Sequence, residues 1–150
     1  EDPIESWDLD DWVFLSSKSR IPICADHPIF GPEDAFQFLA RRAAQIIKVK
    51  MSKVGGLNSA KKIIHVAEAA GVDVIVGRGA TDNITMMAEV HLVASSKNVI
   101  PVGEMTGSVR LKDHEVKNPV PVVNGKVTLT PLPGLGLELD EEKVRKYRIM

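Results

Sequence analysis

The residues able to do acid–base chemistry fall at a few well-defined places in this chain. Glu1 stands in Glu1-Asp2-Pro3, and Asp26 follows the apolar run Ile21-Pro22-Ile23-Cys24-Ala25. Lys48 and Lys50 lie in Ile46-Ile47-Lys48-Val49-Lys50, and Glu104 follows Val102-Gly103. Carboxylates and a lysine drawn to one end of a sheet make a hard-cation oxygen site beside an ammonium base. Alternation along an extended segment puts residues 46, 48 and 50 on one face and 47 and 49 on the other. Both lysines therefore point the same way, and Lys50 lies nearer the carboxyl end, where a base belongs. The same spacing also suits charges that guard an edge strand against aggregation, so spacing alone leaves both roles open.

The elements that must position these residues alternate. The segment 21–25 reads as a strand, and Pro32 at a first helical position starts a helix expected over 32–44. A strand follows over 46–50, then a turn at Gly55-Gly56. A helix over 58–70 carries Ala60, Ile63, Ile64 and Ala67 on one stripe, and Gly71 ends it. The segment 72–76 reads as a strand. Asp82 caps a helix reaching to residue 95, with Ile84, Met87, Ala88, His91 and Leu92 as its stripe. Residues 99–103 read as a fourth strand. Strands and helices alternating in steps of roughly 25 residues mean parallel βα units. Beyond Gly103 the pattern changes: Asn124-Gly125 signals a hairpin between 121–123 and 126–129, and Asp140 caps a short charged segment. The expected division is therefore 1–118 for the βα units and 119–150 for a tail.

Composition removes several classes of function. Nineteen Lys+Arg against twenty Asp+Glu give a net charge of −1 in 150 residues, so no basic surplus invites nucleic acid. No apolar run approaches the roughly 18 residues of a membrane span. The single cysteine, Cys24, cannot build an internal disulfide framework, which favours a reducing, cytoplasmic setting.

Three stretches taken together resemble the enolase superfamily, in its mandelate racemase/muconate lactonizing enzyme family. They are Glu1-Asp2-Pro3, Pro22-Ile23-Cys24-Ala25-Asp26 and Ile47-Lys48-Val49-Lys50-Met51-Ser52-Lys53-Val54-Gly55-Gly56-Leu57. Ala67-Glu68-Ala69-Ala70-Gly71-Val72 and the tail from Pro133-Gly134-Leu135-Gly136 to Asp140 continue the likeness in the right order.

The resemblance implies the C-terminal half of a (β/α)8 TIM-type barrel: the end of strand four, strands five to eight and a C-terminal β-hairpin tail. It implies Mg²⁺ held by Glu1 and Asp26, with a third acidic ligand outside this chain. Lys50 matches the strand-six lysine that moves the proton, with Lys48 beside it, while Glu104, His27 and Lys53 fall where substrate contacts are expected. The implied reaction removes the proton α to a carboxylate from a small acid, as in racemases, epimerases, cycloisomerases and acid dehydratases. A divalent cation on the substrate carboxylate stabilises the developing charge, and a lysine takes or returns the proton. Like-charge repulsion from Lys48 and Lys53 would favour the neutral amine that a base needs.

His27 departs from the family, which commonly carries a second acid after the strand-five aspartate; it is read as a substrate contact or a loop residue. Arg78, in Gly77-Arg78-Gly79, is placed to hold a second anionic group or to lie free in a loop. His91 reads as a core histidine, Cys24 as core, and Trp7 and Trp12 as core or interface. Gly55-Gly56 lacks the lysine and hydroxyl of a phosphate loop, so turn geometry explains it.

A complete barrel takes about 250 residues, so the 150 here are expected to be part of a larger catalytic unit and inactive alone. Open sheet edges would call for the N-terminal half of the same protein or a second copy, hence an oligomer. The alternatives to an enzyme are a non-catalytic half-barrel serving structure or binding, and an open nucleotide- or phosphate-binding α/β domain.

Overall fold

The computed structural model describes residues 1–5, 7–77 and 81–149. They form two compact units: Glu1–Gly77 with Leu92–Gly103, and Arg78–His91 with Glu104–Met150. The fold is α/β, as expected.

The first unit is built on a parallel sheet of three strands in the order β1 (Cys24–Ala25), β2 (Ile46–Val49) and β3 (Asp73–Val76). Cys24 pairs with Ile46, and Lys48 with Ile75. Ile47, Lys48 and Val49 are all buried, so both faces of β2 are covered. That is the environment of a central parallel strand rather than a guarded edge.

β1 is shorter than its apolar run. Pro22 has no N–H to give, and the Ile23 N–H goes to the Gln45 side chain at 2.9 Å, so the ladder starts at Cys24. The expected fourth strand over 99–103 shrinks to one parallel bridge between Val74 and Val99. The Ile100 N–H still reaches the Val74 carbonyl at 2.9 Å, but Pro101 cannot donate and pairing stops.

Helix α2 (Pro32–Ala40) starts where Pro32 places it, with the Asp34 carboxylate accepting the Phe30 and Gly31 N–H groups at 2.9 Å. It ends four residues short of the expected boundary because Arg42 turns left-handed (φ 57°) and Ala43 N–H closes back onto Phe38. Helix α4 (Leu57–Ala69) buries Ala60, Ile63, Ile64 and Ala67, and packs on α2, β2 and β3. An unexpected helix, α1 (Leu9–Lys18), is capped by Asp8 and buries only Trp12, whose ring meets Phe38 edge-on at 5.3 Å. Between β2 and α4 a single turn, α3 (Met51–Val54), is closed by Gly55 at φ 86°, followed by Gly56 at φ 103°. Those angles are the reason for the glycine pair.

Helix α5 (Asn83–Ala94) belongs to the second unit as far as His91. It is buried nearly all round from Met86 to Val90, and Ile84 of the expected stripe is exposed. Met86, Met87, Val90 and Val120 form that unit's core. A one-turn helix, α6 (Gly107–Arg110), starts at a glycine whose Cβ would stand 2.0 Å from the Thr81 carbonyl oxygen, so no other residue fits there. Asn124 and Gly125 make the expected turn with positive φ at both positions (50° and 72°), joined by Val123–Lys126 hydrogen bonds of 2.9 Å. The hairpin goes no further than that single bridge, so the tail is not a β-ladder. Helix α7 (Glu141–Lys146) is capped by Asp140 as expected. Among the described residues no helix is long and apolar enough to cross a membrane.

Candidate active site and candidate metal centre

Asp26 leaves the carboxyl end of β1 and is fully buried. Its backbone N–H donates to Asp2 Oδ1 at 3.0 Å, and the His27 N–H reaches both Asp2 oxygens at 3.0 and 3.2 Å. Asp2 in turn donates its own N–H to the Cys24 carbonyl at 3.0 Å, with φ at 42°. The Glu1-Asp2 segment is thereby tied alongside β1, which carries Glu1 to the same end of the sheet.

Three ammonium groups meet these acids. Lys48, with only 4% of its side chain exposed, places Nζ 2.6 Å from Glu1 Oε2. Lys50, the residue after β2, pairs its Nζ with Asp26 Oδ2. Lys53, from α3, donates to Asp26 Oδ1 at 2.9 Å and to the Asp26 carbonyl. A buried lysine without a counter-charge is costly, and here each ammonium meets a carboxylate. Burial by itself would raise the Asp26 carboxyl; the Lys50 and Lys53 ammonium groups outweigh it and hold the group below its usual range.

Carboxylate oxygens of Glu1, Asp2 and Asp26 all lie within 4.8 Å of one another. Converging hard oxygens of this kind suit Mg²⁺, and the two expected ligands are both in the set. Asp2 is an addition that sequence reading missed; two adjacent acids before a proline were the available signal. Because Asp2 also holds two backbone N–H groups, it orients Asp26 as much as it adds charge. A cation at Asp26 would have to share its carboxylate with the two lysines.

The other residues singled out in the sequence do not all join this cluster. His27 is exposed, and its ring meets Trp7 edge-on at 6.1 Å. Lys53 is turned onto Asp26 and stands 5.3 Å from the Phe30 ring centre. Glu104 is exposed and belongs to the second unit, ahead of α6. Arg78 lies outside the described residues. His91 is half-buried, and His114 Nδ1 lies 3.0 Å from the Asn83 amide. Trp12 is core, as expected, whereas Trp7 is 68% exposed. Cys24 is buried; burial first, then the Glu1 charge, pushes its thiol up to about 11.

Comparison with known proteins bears directly on this arrangement. The family model described as "Enolase C-terminal domain-like" matches residues 1–143. The chain belongs to this family. Among enolase C-terminal domain-like relatives, L-Ala-D/L-Glu epimerase of Clostridium acetobutylicum is 31% identical over 138 residues, covering 92% of this chain and 38% of the epimerase. Muconate cycloisomerase 1 of Pseudomonas putida is 31% identical over 147 residues, covering 98% of this chain and 39% of the cycloisomerase. The solved structure of muconate lactonizing enzyme from Pseudomonas putida superposes with a TM-score of 0.90 at 30% identity, over 97% of this chain and 40% of that one. This member of the family therefore spans about two fifths of the length of those relatives, of which the epimerase and the cycloisomerase are isomerases by name.

Proposed function

We propose that the protein containing this chain removes the proton α to a carboxylate of a small acid, as a racemase, epimerase, cycloisomerase or acid dehydratase does. Mg²⁺ would be held by Glu1 and Asp26, with a further acidic ligand from outside this chain; when bound it neutralises charge that builds on the substrate carboxylate. Lys50 is the base. Its ammonium rests on Asp26; once it leaves that pair and gives its proton to solvent, the neutral amine takes a proton from the substrate carbon and becomes the ammonium again. Lys48, locked to Glu1, fixes the strand-four segment and keeps a positive charge beside the base. Lys53 anchors the Asp26 carbonyl and carboxylate, while Glu104 and His27 are the proposed substrate contacts.

The observation that carries this reading is the meeting of Glu1, Asp26 and Lys50 at the carboxyl end of a parallel sheet, where chemistry sits in barrels of this kind. In the same reading residues 1–118 supply strands five to eight of a TIM-type barrel and 119–150 a tail. The rest of the catalytic unit comes from the N-terminal half of the protein or a second copy, in a cytoplasmic setting. The chain alone is inactive.

The test combines this chain with its complementary half and Mg²⁺ in D₂O, and follows the α-hydrogen of dipeptides, N-acyl amino acids and sugar acids by ¹H NMR. Loss of an α-hydrogen signal that stops on adding EDTA is expected. A folded complex that exchanges none of these acids contradicts the reading.

A further inference from the structure

Between Asp2 and α1 the chain carries Ile4, Glu5 and Trp7, and just beyond Asp26 it carries His27 and Pro28. With Asp2 and Trp12 these residues line a cavity of about 470 Å³, a size that suits a small organic ligand. Both tryptophans of the chain stand in its wall. Trp12 is buried at 1% exposure, whereas the Trp7 indole is 68% open to solvent. Trp7 is nonetheless held in place: it stacks on Phe30 at 6.4 Å and meets the His27 ring edge-on at 6.1 Å. An open indole fixed by two other rings is a prepared aromatic face.

The charge on the wall has one sign. Asp2 and Glu5 contribute carboxylates, and no lysine or arginine lines the cavity among the described residues. The ammonium near this ring cluster, on Lys53, is bonded to Asp26 and lies over Phe30. Indole faces beside carboxylates attract organic cations, because the ring's negative face and the carboxylate act on the same charge. A neutral or anionic group would gain from neither.

The cavity also reaches the chemistry. Asp2, in its wall, is the residue that holds the Asp26 and His27 N–H groups, and its oxygens lie within 4.8 Å of those of Glu1 and Asp26. A molecule whose carboxylate is held at that cluster by a bound cation can extend a second group towards the open Trp7 indole.

We propose that this cavity binds an alkylammonium or guanidinium group of the substrate, so that the acid acted on is an amino-acid derivative bearing a cationic substituent. The substrate assignment rests on the α-proton reading above; the cation site itself does not.

Tryptophan fluorescence of the full chain, without metal, tests it by titration with choline and with its neutral isostere 3,3-dimethyl-1-butanol. Choline is expected to give a saturable change at least about 10-fold tighter than the alcohol, in line with cation–π attraction at a partly desolvated site. Trp7→Leu should weaken choline about 10-fold or more, and Glu5→Gln about 3-fold. Both side chains are exposed, so both variants should keep the parent far-ultraviolet circular dichroism. Equal affinity for choline and the alcohol, absence of saturation, or undiminished binding by Trp7→Leu overturns the cation site. Choline binding without α-proton exchange in the assembled protein would uphold the site and refute only the reaction; exchange without choline preference would do the reverse.

Discussion

The Lys50 ammonium lies on Oδ2 of Asp26, the carboxylate that a divalent cation would also need. In the proposed reading one ion pair, at the end of β1, therefore joins the base to the metal site. On that reading, proton abstraction at Lys50 and metal binding at Asp26 would both begin by breaking the pair.

Metal affinity should therefore respond in opposite directions to the two partners. Asp26→Asn removes a ligand and is expected to weaken Mn²⁺ binding roughly 100-fold or more. Lys50→Met removes the competing charge and should tighten it about 10-fold, the size of a partly buried charge–charge interaction. Electron paramagnetic resonance of free Mn²⁺ reads both. A Lys50→Met variant that binds more weakly than the parent would contradict the competition.

Glu89 of α5 is fully buried, and neither oxygen has a hydrogen-bond partner among the described residues. Burial, with a smaller contribution from Asp82, pushes its carboxyl up to about 7. The native state therefore holds Glu89 protonated where the unfolded chain would ionise it. Below about pH 4 both states are protonated and Glu89 has no effect; from there to about pH 7 the folded state loses stability, by roughly 3 kcal/mol in all. Glu89→Gln should match the parent at pH 4 and exceed it by up to that amount at pH 8, in urea unfolding at each pH. Equal stabilities at pH 8 would show that the ionised carboxylate finds a partner.

Cys24 gives a third expectation. With its thiol near 11, it offers little thiolate at pH 8, and it is also buried. Reaction with an aromatic disulfide reagent should run roughly 100-fold slower in the folded chain than after denaturation, when one thiol per chain should react fully. Rapid labelling of the native protein would mean that the β1 end opens readily.

Much of this site was legible in the residues because strand and helix periods are strict. The α4 stripe follows from Ala60, Ile63, Ile64 and Ala67, and the meeting of Asp26 with Lys50 follows from parallel pairing of two strands whose ends they mark. Other features hid for physical reasons. Helix α1 buries only Trp12 and leaves Phe14 exposed, so it shows no apolar stripe, although Asp8 and Lys18 were its end signals. Glu89 looks like a solvent-facing acid until α5 proves buried nearly all round. Asp2 reads as a neighbour of Glu1; its grip on the Asp26 and His27 N–H groups depends on a left-handed turn that no period announces. The run 99–103 has the apolar pattern of a strand, but Pro101 has no N–H for the ladder, so pairing is confined to the Val74–Val99 bridge.

The central claim is that Lys50 moves the substrate proton. Its most direct test is the rate of α-hydrogen exchange in D₂O by the assembled protein with Mg²⁺, for the parent and for Lys50→Ala, using an acid that the parent exchanges. Loss of a positioned general base is expected to lower the rate by about 100-fold or more, while Mn²⁺ binding is no weaker than the parent's. Exchange at the parent rate in Lys50→Ala would contradict the assignment.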